Sequence, residues 1–173
     1  MYRRTTTETR LSTLPPALAK ELARHAAEHL ISLDHPAPRC WLTHSENPPA
    51  EGLFGRLLGR RANPVDPEAE HWTALVLQVT HILVATLGEK RGAVAMSIPL
   101  ERASLSRGEP LAARYGLAGG EDGVVLSGFP GAEGPPGTIF VGLAGESGAA
   151  CARAVEEAIR ARRGPGEPRA PRS

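Results

Sequence analysis

The string His25-Ala26-Ala27-Glu28-His29 offers the most specific chemistry in the chain. Histidines four residues apart stand on successive turns of a helix and can grip one divalent metal ion, with the intervening glutamate acting as base. On a helical wheel, however, His25 and His29 lie beside Leu18 and Leu22, while Glu28 projects about 100° away from them. The pattern reads first as two histidines at the boundary of a core, hydrogen-bonded or half exposed. A small metal-dependent hydrolase using His25, Glu28 and His29 is the alternative. A structural metal site that adds His35 or Asp34 has nothing in the sequence to favour it, so no metal, cofactor or catalytic residue is assigned.

A second constellation is Gly52 to Arg61, GLFGRLLGRR. Leu53, Phe54, Leu57 and Leu58 alternate there with Arg56, Arg60 and Arg61. Leucine and phenylalanine entering a headgroup boundary while arginines reach phosphates is the composition of an interfacial anchor. Leu53, Phe54, Arg56, Arg60 and Arg61 are therefore the candidate ligand-binding or membrane-binding residues. The same composition also fits a short helix whose leucines pack on the domain and whose arginines stay wet.

Other candidates reduce to structure. Gly142 to Gly148 (GLAGESG) lacks the spacing of a phosphate-binding loop, and Glu146 would repel a phosphate, so Ser147 is expected as a helix N-cap. Cys151 reads as a small core hydrophobe. Trp41 and Trp72 are expected to pack against each other.

The chain has 173 residues, 41% hydrophobic, 4% aromatic and 23% charged, enough for a single domain with one core. Its net charge of +1, from 20 basic and 19 acidic residues, gives no overall field to attract nucleic acid, so none is expected as a partner. Two cysteines, Cys40 and Cys151, build no disulfide framework, and a reducing cytoplasm is the expected location. The first thirteen residues lack the apolar core of a secretory signal. The apolar run Thr73 to Leu87 is broken by Gln78, Thr80 and His81 and is too short to span a bilayer. Two lysines, Lys20 and Lys90, leave eighteen basic residues as arginine, which suggests codon bias in a GC-rich genome.

Positioning elements follow from periodicity. Residues 1–13 read as a flexible lead-in. A helix is predicted over 14–33, N-capped by Thr13, with Leu14, Leu18, Leu22 and Ala26 on its inner face. Arg39 to His44 is a strand. The 19 glycines and 16 prolines concentrate partly in an insertion at 45–70 and in a disordered tail at 164–173. Strands follow at 73–78, 81–87 and 93–98, with 100–105 pairing next, then at 123–129 and 138–143. A helix after Ser147 runs to Arg163. Short antiparallel strands closed by one helix give an α+β class: a strongly bent sheet or partly open barrel with an added N-terminal helix.

The strings from Thr73 to Leu105, GVVLSGF at 123–129, GTIFVGL at 137–143 and the terminal helix resemble a bacterial pleckstrin-homology-like (PH-like) domain. Ile98-Pro99-Leu100 stands where that family ends a strand in a Pro-Leu pair. The likeness covers 39–163 within a single domain at 14–163. It implies a PH-like β-barrel capped by the C-terminal helix and a non-catalytic binding module. Its partner would be a protein or a second copy, and any peripheral contact with an anionic membrane would come from Arg56, Arg60 and Arg61, not from the resemblance. The family's phosphoinositide-binding lysine and arginines have no counterpart at His44 or at His71-Trp72-Thr73, and its helical tryptophan is absent.

Overall fold

Two prolines set where the first helix begins. A computed structural model describes residues 3–34, 36–48, 68–107, 122–130 and 136–164. In it, α1 spans Pro16–Glu28 with Pro15 at the N-cap, where a missing N–H is harmless. Thr13, expected as the cap, belongs instead to a 3₁₀ turn at Leu11–Thr13, and its hydroxyl donates to the Arg10 carbonyl at 2.9 Å. The helix also stops five residues earlier than periodicity suggests. Leu30 turns into the left-handed region at φ 56°, and the Ile31 N–H reaches back to the Ala26 carbonyl at 2.8 Å. That six-to-one closure satisfies the last carbonyls and folds Ile31 back against the core.

Residues 3–9, expected as flexible lead-in, form an edge strand. β1 (Arg3–Thr9) pairs antiparallel with β2 (Arg39–Glu46), and Thr6 shares a 2.9 Å hydroxyl bond with Thr43. Threonine's branched side chain suits a pleated edge, so the strand needs no apolar stripe. β3 (Glu70–Leu77), β4 (His81–Gly88) and β5 (Gly92–Pro99) complete a five-stranded antiparallel sheet in the order β1-β2-β3-β4-β5. β6 (Ser104–Ser106), β7 (Gly123–Phe129) and β8 (Gly137–Gly142) form a separate three-stranded antiparallel sheet. The class is α+β, but the strands make two sheets and not a closed barrel. Leu100 to Ala103, expected within a strand, is mostly a turn in which the Ala103 N–H donates to the Pro99 carbonyl.

The large sheet is covered on both faces, which explains the nearly continuous apolar runs of β3 and β4. One face packs Cys40, Val76 and Leu83 against Leu18 and Leu22 of α1. The other packs Trp41, Leu75, Val84 and Ile98 against the small sheet and the C-terminal helix α2 (Gly145–Arg163), which contributes Cys151, Val155 and Ile159. Trp41 and Trp72 therefore do not meet. The register pairs Trp41 with Leu75 and His44 with Trp72, which places the two indoles on opposite faces. α2 begins at Gly145, before the expected cap Ser147, and the Ala144 N–H at its mouth donates to the Thr6 hydroxyl at 2.9 Å.

Buried Glu68 holds the return from the insertion. Its carboxylate accepts from the backbone N–H groups of Lys90 and Arg91 in the β4–β5 turn. Gly88 makes room, since a Cβ there would lie 2.7 Å from Glu68 Oε1. No described helix is long and apolar enough to cross a membrane.

Candidate functional site

The last turn of α1, the first residue of β4, the edge strand β5 and the β7–β8 end of the small sheet surround one cavity of about 550 Å³. Its volume lies in the ordinary range for small-ligand sites. Met96, Phe129, Ile139 and Pro99 supply an apolar wall, and His25, His29, His81, Ser97 and Thr138 supply the polar groups. Among the described residues, no aspartate, glutamate, lysine or arginine lines it.

His25 is buried because it extends the Leu18–Leu22 stripe by one turn, and its Nε2 shares a 3.0 Å hydrogen bond with Ser97 Oγ across 72 positions of sequence. His29 follows on the next turn, its ring tilted against His25 with centroids 4.3 Å apart. Burial, reinforced by His29 and Arg24, holds the His25 pKa below the ordinary imidazole value against the pull of Glu21 and Glu28. Burial also lowers the pKa of His81, where Glu101 opposes it and His29 adds to it.

Hydrogen-bond accounting fixes the proton of neutral His81. The Thr80 N–H and hydroxyl both donate to Gln78 Oε1 at 2.8 Å, so the single Thr80 hydroxyl proton is spent there. The 2.8 Å contact between Thr80 Oγ1 and His81 Nδ1 must then be donated by the ring. Neutral His81 carries its proton on Nδ1 and leaves Nε2 as a bare acceptor with no partner among the described residues.

Ser97 and His25 stand at the distance of a nucleophile and its base. Among the described residues no acid is left to orient the imidazole, because both acids on that side of α1 are engaged. Arg24 binds Glu21 at 2.6 Å and Glu28 at 2.5 Å. Glu28 thus sits on the exposed flank, turned to Arg24, and among the described residues no group of three His, Cys, Asp or Glu could hold a metal ion.

No family model, curated protein or solved structure matches this chain.

Of the residues singled out in the sequence, the structure brings His25 and His29 to the cavity. Leu53, Phe54, Arg56, Arg60, Arg61 and His35 lie outside the described residues. Cys40 and Cys151 are core residues on opposite faces of the sheet, their thiols pushed up to about 12 by burial. His81, Ser97, Met96, Phe129 and Ile139 were not legible as a set. The only clues were a histidine at the head of an apolar strand and a serine inside another.

Proposed function

We propose that this chain is a non-catalytic binding module of the PH-like kind, with a ligand cavity lined by histidines at the end of α1 and a macromolecular partner taken by the sheet edges beside it. Its partner is a protein or a second copy of the chain, and the Leu53–Arg61 segment adds peripheral contact with an anionic membrane. The PH-like part of the reading is supported by element order: four meandering strands, then three, then a helix packed between the two sheets. β5 and β8 each end a sheet beside the cavity, and such edges suit a partner strand. The observation that carries binding over catalysis is the engagement of Glu21 and Glu28 by Arg24, which leaves the Ser97–His25 pair without an orienting acid among the described residues.

The test uses the neutral fluorescent probe N-phenyl-1-naphthylamine and a p-nitrophenyl ester. The full chain is expected to bind one equivalent of probe, to lose it in Ile139→Trp at unchanged thermal stability, and to leave the ester at its rate in buffer. Ester hydrolysis abolished by Ser97→Ala would place the chain among enzymes instead. The membrane contact is tested separately: sedimentation with phosphatidylglycerol vesicles at low salt should disappear when Arg56, Arg60 and Arg61 are changed together to serine.

A further inference from the structure

We propose that the cavity at the end of α1 binds a small carboxylic acid with an apolar body, its carboxyl group against His81 Nε2 and its body against Met96, Phe129 and Ile139. The inference rests on the binding-module reading and names the ligand class of that site.

The wall fixes the body of the ligand. Met96, Phe129, Ile139 and Pro99 offer dispersion contacts and little else, so a sugar or a nucleotide would leave most of its polar groups unpaired. The head is fixed by the imidazoles. A phosphate dianion needs fixed cations or several fixed donors, and among the described residues no arginine or lysine lines the cavity. An ammonium ion needs a carboxylate, and no described one lines it either. What the cavity does hold is an acceptor that becomes a donor by taking up one proton. Gln78 and Thr80 lock the Nδ1 side of His81, so any change of protonation occurs at Nε2.

A weak acid matches that behaviour in either form. Protonated, its O–H donates to bare Nε2; ionised, its oxygens accept from Nε2–H of the imidazolium, with His29 adjacent. The proton count is the same: above the pKa of empty His81, each carboxylate that binds takes up one proton. The charged groups around His81 are few. α1 presents Arg24 with Glu21 and Glu28, already paired with one another; the turn after β5 presents Glu101; the lining of β5, β7 and β8 presents no charge. His25 and His81 are thus kept neutral chiefly by burial while the site is empty, and the ligand's negative charge removes that bias.

The experiment titrates the full chain with octanoate and with octan-1-ol at pH 8, 7 and 6. Octanoate should bind up to about tenfold more tightly for each pH unit lowered, until the pKa of empty His81 is reached, while octanol shows no such gain. His81→Asn should flatten the octanoate profile and leave octanol binding as it was, and Ile139→Trp should abolish both. Equal pH profiles for acid and alcohol, or an undiminished slope in His81→Asn, would overturn the assignment. N-acetyl-alanyl-leucine presents the same carboxylate on a peptide backbone. It should bind more weakly than octanoate, and tighter binding would give the site to a chain terminus instead. If N-phenyl-1-naphthylamine enters but octanoate shows no pH slope, this inference fails and the binding module stands. If neither enters, both fail.

Discussion

Each described α-helix of this protein ends beside a cavity, and the two cavities differ in chemistry far more than in size. The one at the end of α1 measures about 550 Å³; the one at the end of α2, between Leu77, Val79, Leu100 and Ala158, measures about 520 Å³. Arginines border the second, and both are committed. Arg162 donates twice to the Val79 carbonyl, at 2.7 and 3.0 Å, and Arg39 binds Glu8 at 2.9 Å while lying over the Trp41 ring. Next to them Arg163 donates to the Ala103 carbonyl at 2.5 Å. A guanidinium is always charged and always donating, so these contacts fasten α2 across the sheets. Imidazoles at the α1 end leave an acceptor unspent and a proton to be gained. Volume alone does not make a site; uncommitted polar groups do.

Truncating the two helices should separate their roles most strongly. Leu22→Ala removes a side chain that is 1% exposed and should cost about 3 kcal/mol in urea unfolding. It should also weaken N-phenyl-1-naphthylamine binding, because the same stripe seats His25. Ile159→Ala on α2 should cost about 2 kcal/mol and leave probe affinity unchanged. A loss of probe binding in Ile159→Ala would break the distinction between the two ends.

The arginine fastening gives a smaller effect. Arg163→Ala leaves the carbonyl of fully buried Ala103 without that donor and should cost about 1–2 kcal/mol. Arg162→Ala should cost less, under about 1 kcal/mol, because Val79 lies in an exposed turn where water can replace the guanidinium. Neither change should alter the α1 cavity, which thermal unfolding and probe titration on the same samples would check.

The smallest effect is the pH response of the empty α1 end. Burial holds His25 and His81 below 6.5, so between that value and their folded pKa values the unfolded chain binds more protons than the native one. Their contribution is full above pH 6.5, declines as pH falls through the folded values, and levels off below them. Subtracting the unfolding curves of His81→Asn from those of the wild type should isolate a difference confined to that window. A difference of opposite sign would mean that the native cavity stabilises the imidazolium.

Period and alternation made much of this fold legible. Leu14, Leu18, Leu22 and Ala26 announced the inner face of α1, and the apolar runs at 73–78 and 81–87 announced two strands of the large sheet. β1 was hidden because Arg3–Thr9 has no apolar alternation; it is held by pairing with β2 and by the Thr6–Thr43 bond, neither of which is local. The end of α1 was hidden because a leucine, not a glycine, takes the left-handed position. Trp41 and Trp72 could not be assigned to faces, since the register of β2 against β3 depends on the insertion between them. The site was least legible of all. His25 could be read as a boundary histidine, but its partner Ser97 and its neighbour His81 come from other strands, and the cavity exists only through the placement of the second sheet.

The most direct test of the α1 end as the recognition site is a map of which side chains a neutral aromatic ligand touches. In methyl and imidazole NMR spectra of the full chain, 1-naphthol should shift Met96, Ile139 and the rings of His29 and His81 through its ring current. Leu100 and Ala158, beside the α2 cavity, should not move. Shifts centred on Leu100 and Ala158, or spread evenly over both ends, would contradict the account.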